Sequence, residues 1–312
     1  MRVLVALGGN ALTGPDGSAR PEDQITAAEV AMASVADLIA EGHAVVLTHG
    51  NGPQVGDLLV INELSASVVP PVPLDWCGAQ TQATLGFVLL NTLEEALRQR
   101  GLVRRVVALV TRSLVDMDDP GFSQPSKPIG RYLSREEAKA LIQHGQQFED
   151  RGERGWRRVV ASPQPLEILE APVIALLADA GHVVIANGGG GIPVVRKPDG
   201  SLRGVEAVID KDLGAALLGH RLGVDRLIIA TDVEHAIVGY ETPEARPLGE
   251  VGVSELRAYA DEGHFASGSM GPKVEALCRF VESTGNLGVI TSLANIVAAV
   301  RGETGTIVVP TD

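Results

Sequence analysis

The chain has 312 residues, of which 45% are hydrophobic and 21% charged, with a formal net charge of -13. That is the composition of a folded protein of one large domain or two modest ones, and it excludes a disordered chain. The acidic balance excludes a broad nucleic-acid surface, and the lack of about 18 consecutive apolar residues excludes a membrane-spanning helix.

The opening run 3–7 is apolar throughout and reads as a buried strand, followed by Gly8-Gly9-Asn10. Five residues are too few for the core of a signal peptide. Residues 27–40 carry apolar side chains at helical spacing and stop near Gly42. A second buried-strand pattern at 44–48 leads into His49-Gly50-Asn51-Gly52-Pro53. A long helical pattern over 80–100 ends at Gly101, and 105–110 reads as a third strand. Continuous Val, Ile and Leu runs of this kind suit parallel strands covered on both faces.

The rhythm breaks over 111–161. Pro and Gly are frequent there, and Ser134 with Glu137 forms a capping box for one short helix. Residues 152–155 read as a turn into an extended 156–161. Some fifty irregular residues inside a compact protein point to a lid or small subdomain over a site.

Alternation then resumes. Residues 174–180 read as a helix and 183–186 as a strand, followed by Asn187 and the run Gly188-Gly189-Gly190-Gly191. Residues 194–205 read as a hairpin turning at Asp199-Gly200, and a helix follows Ile209-Asp210-Lys211-Asp212. A strand at 227–230 ends at Thr231-Asp232, and a helix over 274–281 is opened by Pro272. A strand at 287–290, a short helix and a strand at 306–309 complete the sheet. Cys77 and Cys278 stand alone, which argues against a disulfide framework or a zinc site and fits a reducing cytoplasm. They read as buried apolar residues, and Trp76 and Trp156 as packing residues.

Three buried strands thus end in glycine plus a small polar residue: Gly8-Gly9-Asn10, Gly50-Asn51-Gly52 and Asn187 to Gly191. In a parallel sheet such loops share the carboxyl edge, where ligands bind. Glycine allows close backbone approach to an anion, and a following helix turns its free N–H groups toward it. The known phosphate signatures are absent: no Gly-Lys dipeptide for a Walker loop, and Pro193 where a dinucleotide fingerprint starting at Gly188 needs glycine.

Only five of the 26 basic residues are lysines. Three of them stand in Gly/Pro/Asp settings: Lys127 before Pro128-Ile129-Gly130, Lys211 between Asp210 and Asp212, and Lys273 after Gly271-Pro272. A compact ammonium suits a migrating phosphoryl group. Lys139 and Lys197 read as surface residues. Asp210 is expected to orient Lys211, with holding its charge or approaching Mg2+ as alternatives, and Asp212 to cap the helix. The seven histidines have no metal-ligand spacing, and His49 is expected to hold its glycine loop.

These motifs make the chain resemble the carbamate kinase family of the amino-acid kinase superfamily, over essentially its whole length. The resemblance rests on Gly8-Gly9-Asn10, the run 49–56 from His49 to Gly56, Pro73-Leu74-Asp75, Lys127-Pro128-Ile129-Gly130, Gly155-Trp156-Arg157, residues 188–193 and 204–212, and His264-Phe265 through Lys273. Thr231-Asp232-Val233-Glu234-His235 departs from the TDVD-type run typical of the family. The resemblance implies a three-layer αβα sandwich around a mainly parallel sheet of about eight strands, in a cytoplasmic homodimer. Residues 1–205 would bind carbamate and the transferred phosphoryl group, with 111–161 as a protruding lid carrying Lys127. Residues 206–312 would bind ATP or ADP, with Mg2+ held mainly by the nucleotide phosphates. Backbone N–H groups of Gly8, Gly9, Gly50 and Gly52 and the side chains of Asn10 and Asn51 would cradle the phosphoryl oxygens. Lys211 would bridge the donor and transferred groups, Lys273 would hold the nucleotide phosphates, and Thr231, Asp232 and Met270 would join the nucleotide pocket. The expected reaction is reversible: ATP plus carbamate gives ADP plus carbamoyl phosphate, run toward ATP in arginine or purine-derivative breakdown. Another small-acid kinase of the superfamily, or a non-catalytic nucleotide sensor on the same fold, is the alternative.

Overall fold

The computed structural model describes residues 1–14, 19–143, 145–266 and 268–311, except the side chains of residues 10 and 11. The chain opens with β1 (Arg2–Leu7), α1 (Pro21–Ala40), β2 (Ala44–His49), α2 (Gly52–Ser65), α3 (Leu74–Gln99) and β3 (Val106–Ala108). Helix α1 starts six residues earlier than its apolar spacing indicates, because Pro21, Glu22 and Asp23 form a favourable first turn. Helix α3 likewise starts six residues early, at Leu74. Its N-cap is Pro73, which offers no capping side chain, and the carboxylate of Glu206 accepts from Leu74 N at 3.0 Å instead. Helix α2 has no counterpart in the sequence reading.

The irregular-looking segment is largely regular. It contains β4 (Arg112–Leu114), the four-residue α4 (Pro120–Ser123), β5 (Lys127–Leu133), α5 (Arg135–Ile142), β6 (Gln147–Asp150) and β7 (Trp156–Val160), with β8 (Glu167–Ile168) beyond it. Strands β5, β7 and β6 form a separate three-stranded antiparallel sheet. The capping box of α5 forms as the sequence indicates, with Ser134 and Glu137 bonding reciprocally.

The remainder runs α6 (Ala171–Asp179), β9 (Val183–Ile185), β10 (Ile192–Arg196), β11 (Leu202–Gly204), α7 (Lys211–Leu222) and β12 (Arg226–Thr231). Then come β13 (Ile237–Val238), β14 (Arg246–Pro247), β15 (Glu250–Gly252), α8 (Val253–Asp261), α9 (Met270–Thr284), β16 (Leu287–Ser292), α10 (Ile296–Arg301) and β17 (Thr306–Val309). The central sheet has eight strands in the order β15-β17-β16-β12-β1-β2-β9-β3. Every pairing in it is parallel except β16 with β17. A four-stranded sheet, β11-β10-β4-β8, contains the expected hairpin.

Both faces of the central sheet are covered, as continuous apolar strands require. On β1, Leu4 and Ala6 join a core with residues of α6, α7 and α9. Val3, Val5 and Leu7 point the other way into a core with residues of α1, α3 and α10. All five are fully buried, and each larger side chain stabilises the fold by roughly 1.5–3 kcal/mol. The architecture is therefore a three-layer αβα sandwich. Strand β1 lies between β2, reached directly, and β12, reached only after the chain has built the other side of the sheet. That reversal of strand order opens a crevice at the carboxyl ends of β1 and β12.

Candidate active site

At this edge the loop after β1 meets the loop after β2. A methyl placed on Gly50 would stand 3.0 Å from Gly9 N and 3.3 Å from Lys211 Cδ, so both glycine loops and the N-terminus of α7 touch. The run Gly188 to Gly191 closes the floor, and four different neighbours demand its glycines. Added methyls would stand 2.4 Å from His49 Nε2, 2.2 Å from Asn51 Nδ2, 2.8 Å from Ile209 Cβ and 2.2 Å from Ser113 Oγ. Gly190 also holds φ +86, which a side chain resists.

His49 is buried beneath this floor, and its ring Nδ1–H donates to Gly50 O at 3.0 Å. Burial is the main reason its pKa falls to about 4, so the ring is neutral at pH 7. It holds the loop, as the sequence suggests.

A cavity of about 280 Å³ sits above the floor, lined by Gly9, Asn51, Lys127, Lys211, Asp212 and Lys273 among others. The three lysines come from three separate places: β5 of the small sheet, the first residue of α7, and the first turn of α9. They are tied together by two aspartates. Lys127 Nζ donates to Asp210 Oδ2 at 2.6 Å. Asp212 accepts from Lys211 Nζ on one oxygen at 2.5 Å and from Lys273 Nζ on the other at 3.2 Å. Burial pushes the Lys211 ammonium below its usual pKa, against the pull of Asp212. Burial also works against the Asp212 carboxylate, but the two ammoniums prevail and hold it below the ordinary carboxylate range.

The two aspartates exchange the parts that the sequence assigns them. Asp210, not Asp212, caps α7: its Oδ1 accepts from Asp212 N at 2.9 Å and Leu213 N at 3.2 Å. Asp212 orients Lys211, and Lys273 with it. A second correction concerns the backbone donors. Gly8 N donates to Ala230 O at 2.8 Å and Gly50 N to Leu7 O at 3.0 Å, so both amides extend the sheet and are not offered to a ligand. Gly9 and Gly52 line the cavity and each begins a helical turn, where N–H groups lack intrahelical partners. Asn51 stands at the N-cap position of α2 without a side-chain capping bond, and its Nδ2 donates to Thr81 Oγ1 at 2.9 Å. The side chain of Asn10 lies outside the described residues.

A second cavity of about 240 Å³ adjoins the first, with Ser269 and Lys273 in the shared wall. Thr231, Asp232 and Met270 line it, as expected, together with His235, Tyr240 and Phe265. Thr231 Oγ1 donates to Asp232 Oδ1 at 2.9 Å. His235 enters the sequence analysis only as the end of an atypical run, and Tyr240 not at all, because both follow β12 in an irregular stretch without periodicity. Lys139 and Lys197 are exposed and belong to neither lining. One cavity is therefore cationic and glycine-rich and the other is mixed apolar and polar, an arrangement suited to a phosphorylated acceptor beside a nucleotide.

A sequence model of the amino acid kinase family matches residues 1–292. The chain belongs to the amino acid kinase family. Within it, the chain is 46% identical over 313 residues to the carbamate kinase of Thermococcus kodakarensis, covering 99% of each. It is 43% identical to the carbamate kinase of Pyrococcus furiosus, again covering 99% of each. Among solved structures it resembles carbamate kinase from Giardia lamblia bound to AMP-PNP, with a TM-score of 0.93 and 40% identity over 99% of this chain and 98% of that one.

Proposed function

We propose that the chain is a carbamate kinase, transferring a phosphoryl group reversibly between ATP and carbamate to give ADP and carbamoyl phosphate. Identity of 46% to a carbamate kinase over nearly the full length of both chains supports the activity. The observation that carries the chemistry is three lysines converging on one cavity beside a second of mixed apolar and polar lining. Carbamate is already an anion, so its oxygen attacks phosphorus without a general base. Catalysis reduces to alignment and charge neutralisation.

In this reading Gly9 and Gly52 present backbone N–H groups to the phosphoryl oxygens. Lys211 spans the donor and transferred groups, Lys273 binds the nucleotide phosphates, and Lys127 approaches from the small sheet. Asp212 fixes two ammoniums at once, and Asp210 fixes the third. Among the described residues no cluster of three His, Cys, Asp or Glu could cage a metal ion. Asp210 and Asp212 already accept from lysines. Such a site fits Mg2+ held by the nucleotide phosphates, its usual habit, where it would neutralise their charge.

The finer proposals follow the same reading. Residues 1–205 serve carbamate and the phosphoryl group, residues 206–312 serve the nucleotide, and 111–161 act as a lid. The chain works as a homodimer, supported by a groove of about 570 Å³ between α1 and α3 that includes the exposed Ile25 and Phe87. Sedimentation equilibrium should then report two chains per particle. A cytoplasmic setting is supported by two free, buried cysteines, and no helix among the described residues is long and apolar enough to cross a membrane. The physiological direction proposed is ATP formation, in arginine or purine-derivative breakdown, which metabolite levels in a deletion strain would test. The activity itself is tested by offering ADP with carbamoyl phosphate, acetyl phosphate or acetylglutamyl phosphate. ATP should form fastest from carbamoyl phosphate. Preference for another donor would indicate a different small-acid kinase, and nucleotide binding without turnover would indicate a sensor.

A further inference from the structure

We propose that Arg157 is a positioning residue, which clamps a two-residue bulge in β5 and thereby holds Lys127 over the phosphoryl site. The proposal rests on the carbamate kinase reading above and adds to it a residue that touches neither cavity.

Strands β5 and β7 pair Lys127 with Val160, Pro128 with Val159 and Ile129 with Arg158. The next pair is Tyr132 with Arg157. Two residues, Gly130 and Arg131, are therefore looped out of β5 while β7 runs on without interruption. A bulge re-aims the strand beyond it. Here the re-aimed part is the tip 127–129, whose lysine reaches Asp210. The bulge needs Gly130, which holds φ +69.

A loop of two unpaired residues is soft unless something holds it. Arg157 Nε donates to Gly130 O at 3.2 Å, replacing a ladder bond that the bulge removes. Its guanidinium carbon lies 5.1 Å from the centroid of the Tyr132 ring, a cation–π contact on the far side of the bulge. Arg157 thus grips the bulge at both ends. Helix α2 also presses on it: a methyl built on Gly56 would stand 3.2 Å from Gly130 Cα. Helix α2 begins at Gly52, in the wall of the phosphoryl cavity. The same helix thus supplies part of the cavity and a second contact on the bulge that Arg157 holds.

The consequence is a division of labour. Lys127 supplies charge, and Arg157 supplies its aim. Removing Arg157 should lower kcat for ATP formation by roughly ten- to hundredfold, the scale of a misplaced catalytic group. KM for ADP should stay within about twofold, because β12 and α9 build the nucleotide cavity independently of β5. If Arg157 acts only through Lys127, Arg157→Ala adds nothing in a Lys127→Ala background. Arg157→Lys keeps a cation and a donor and should recover part of the loss. Arg151→Ala, in the turn between β6 and β7 and paired with Glu149, should leave turnover unchanged.

The experiment is a double-mutant cycle on kcat, with thermal melts of each variant. Should Arg157→Ala fail to fold, Gly56→Ala displaces the same bulge through its contact with Gly130 and enters the cycle in its place. A loss in kcat that vanishes without Lys127 supports the proposal. Equal losses with and without Lys127, or a loss confined to melting temperature, overturn it. If the wild-type chain forms no ATP from carbamoyl phosphate, the carbamate kinase reading falls, and this proposal falls with it. An active wild type with a silent Arg157→Ala overturns this proposal alone.

Discussion

Asp210 and Asp212 show how much depends on a single residue's neighbours. Both flank Lys211, and nothing local distinguishes them. The difference is set by Lys273, 61 residues further on, which α9 brings to the second oxygen of Asp212. Sequence spacing identified the constellation but could not assign the roles, because the deciding partner is distant in the chain. His49, by contrast, was legible: a histidine directly before a glycine loop has little to do but hold it. Its burial makes a pH prediction. The pKa falls from 6.5 in the unfolded chain to about 4 in the fold. As pH drops through 6.5 the unfolded chain takes up a proton first, so stability falls until about pH 4, where the folded ring also protonates. The loss is on the order of 3 kcal/mol. Denaturant melts of the wild type and His49→Gln across this window should show a shallower acid slope in the variant. Parallel slopes would mean that His49 does not titrate differently on folding.

Among the elements, strands and glycine turns were the most legible, because fully buried parallel strands leave long apolar runs. Helix α2 was not. It buries only Gln54, Val55, Gly56 and Leu59, and its other apolar residues spread around the helix rather than along one face. Of the small sheet, β7 is legible as the extended 156–161, whereas β5 and β6 are hidden, since few of their residues are buried and they show no alternation. The sequence suggests a ligand loop after β9, yet its glycines mainly make room for His49, Asn51, Ile209 and Ser113. Gly190→Ala should therefore cost roughly 3 kcal/mol, from the positive φ and the overlap with Ile209. It should also slow turnover, since Ile209 directly precedes Asp210 and Lys211. Denaturant melts and kcat of the purified variant would check both, and a variant as stable as wild type would mean that the floor can yield.

For the molecule as a whole, the sandwich is legible in the alternation of elements and a small subdomain over the site in the break at 111–161, while the seating of that subdomain on α2 is not. The small sheet reaches the site through Lys127 and rests on α2 through Gly130 and Gly56. It contributes little to the main cores, which favours local opening. Hydrogen exchange over 127–160 should slow when ADP and carbamoyl phosphate are added, and unchanged exchange there would make the small sheet a rigid decoration. The central claim, that one lysine–aspartate constellation performs phosphoryl transfer between carbamate and a nucleotide, is tested most directly by one rate. ATP formation from ADP and carbamoyl phosphate should fall about a hundredfold or more in Lys211→Ala, the scale for losing a preorganised charge in the transition state. Lys197→Ala, exposed on the hairpin turn, should match the wild type. Near-normal turnover in Lys211→Ala would contradict the account.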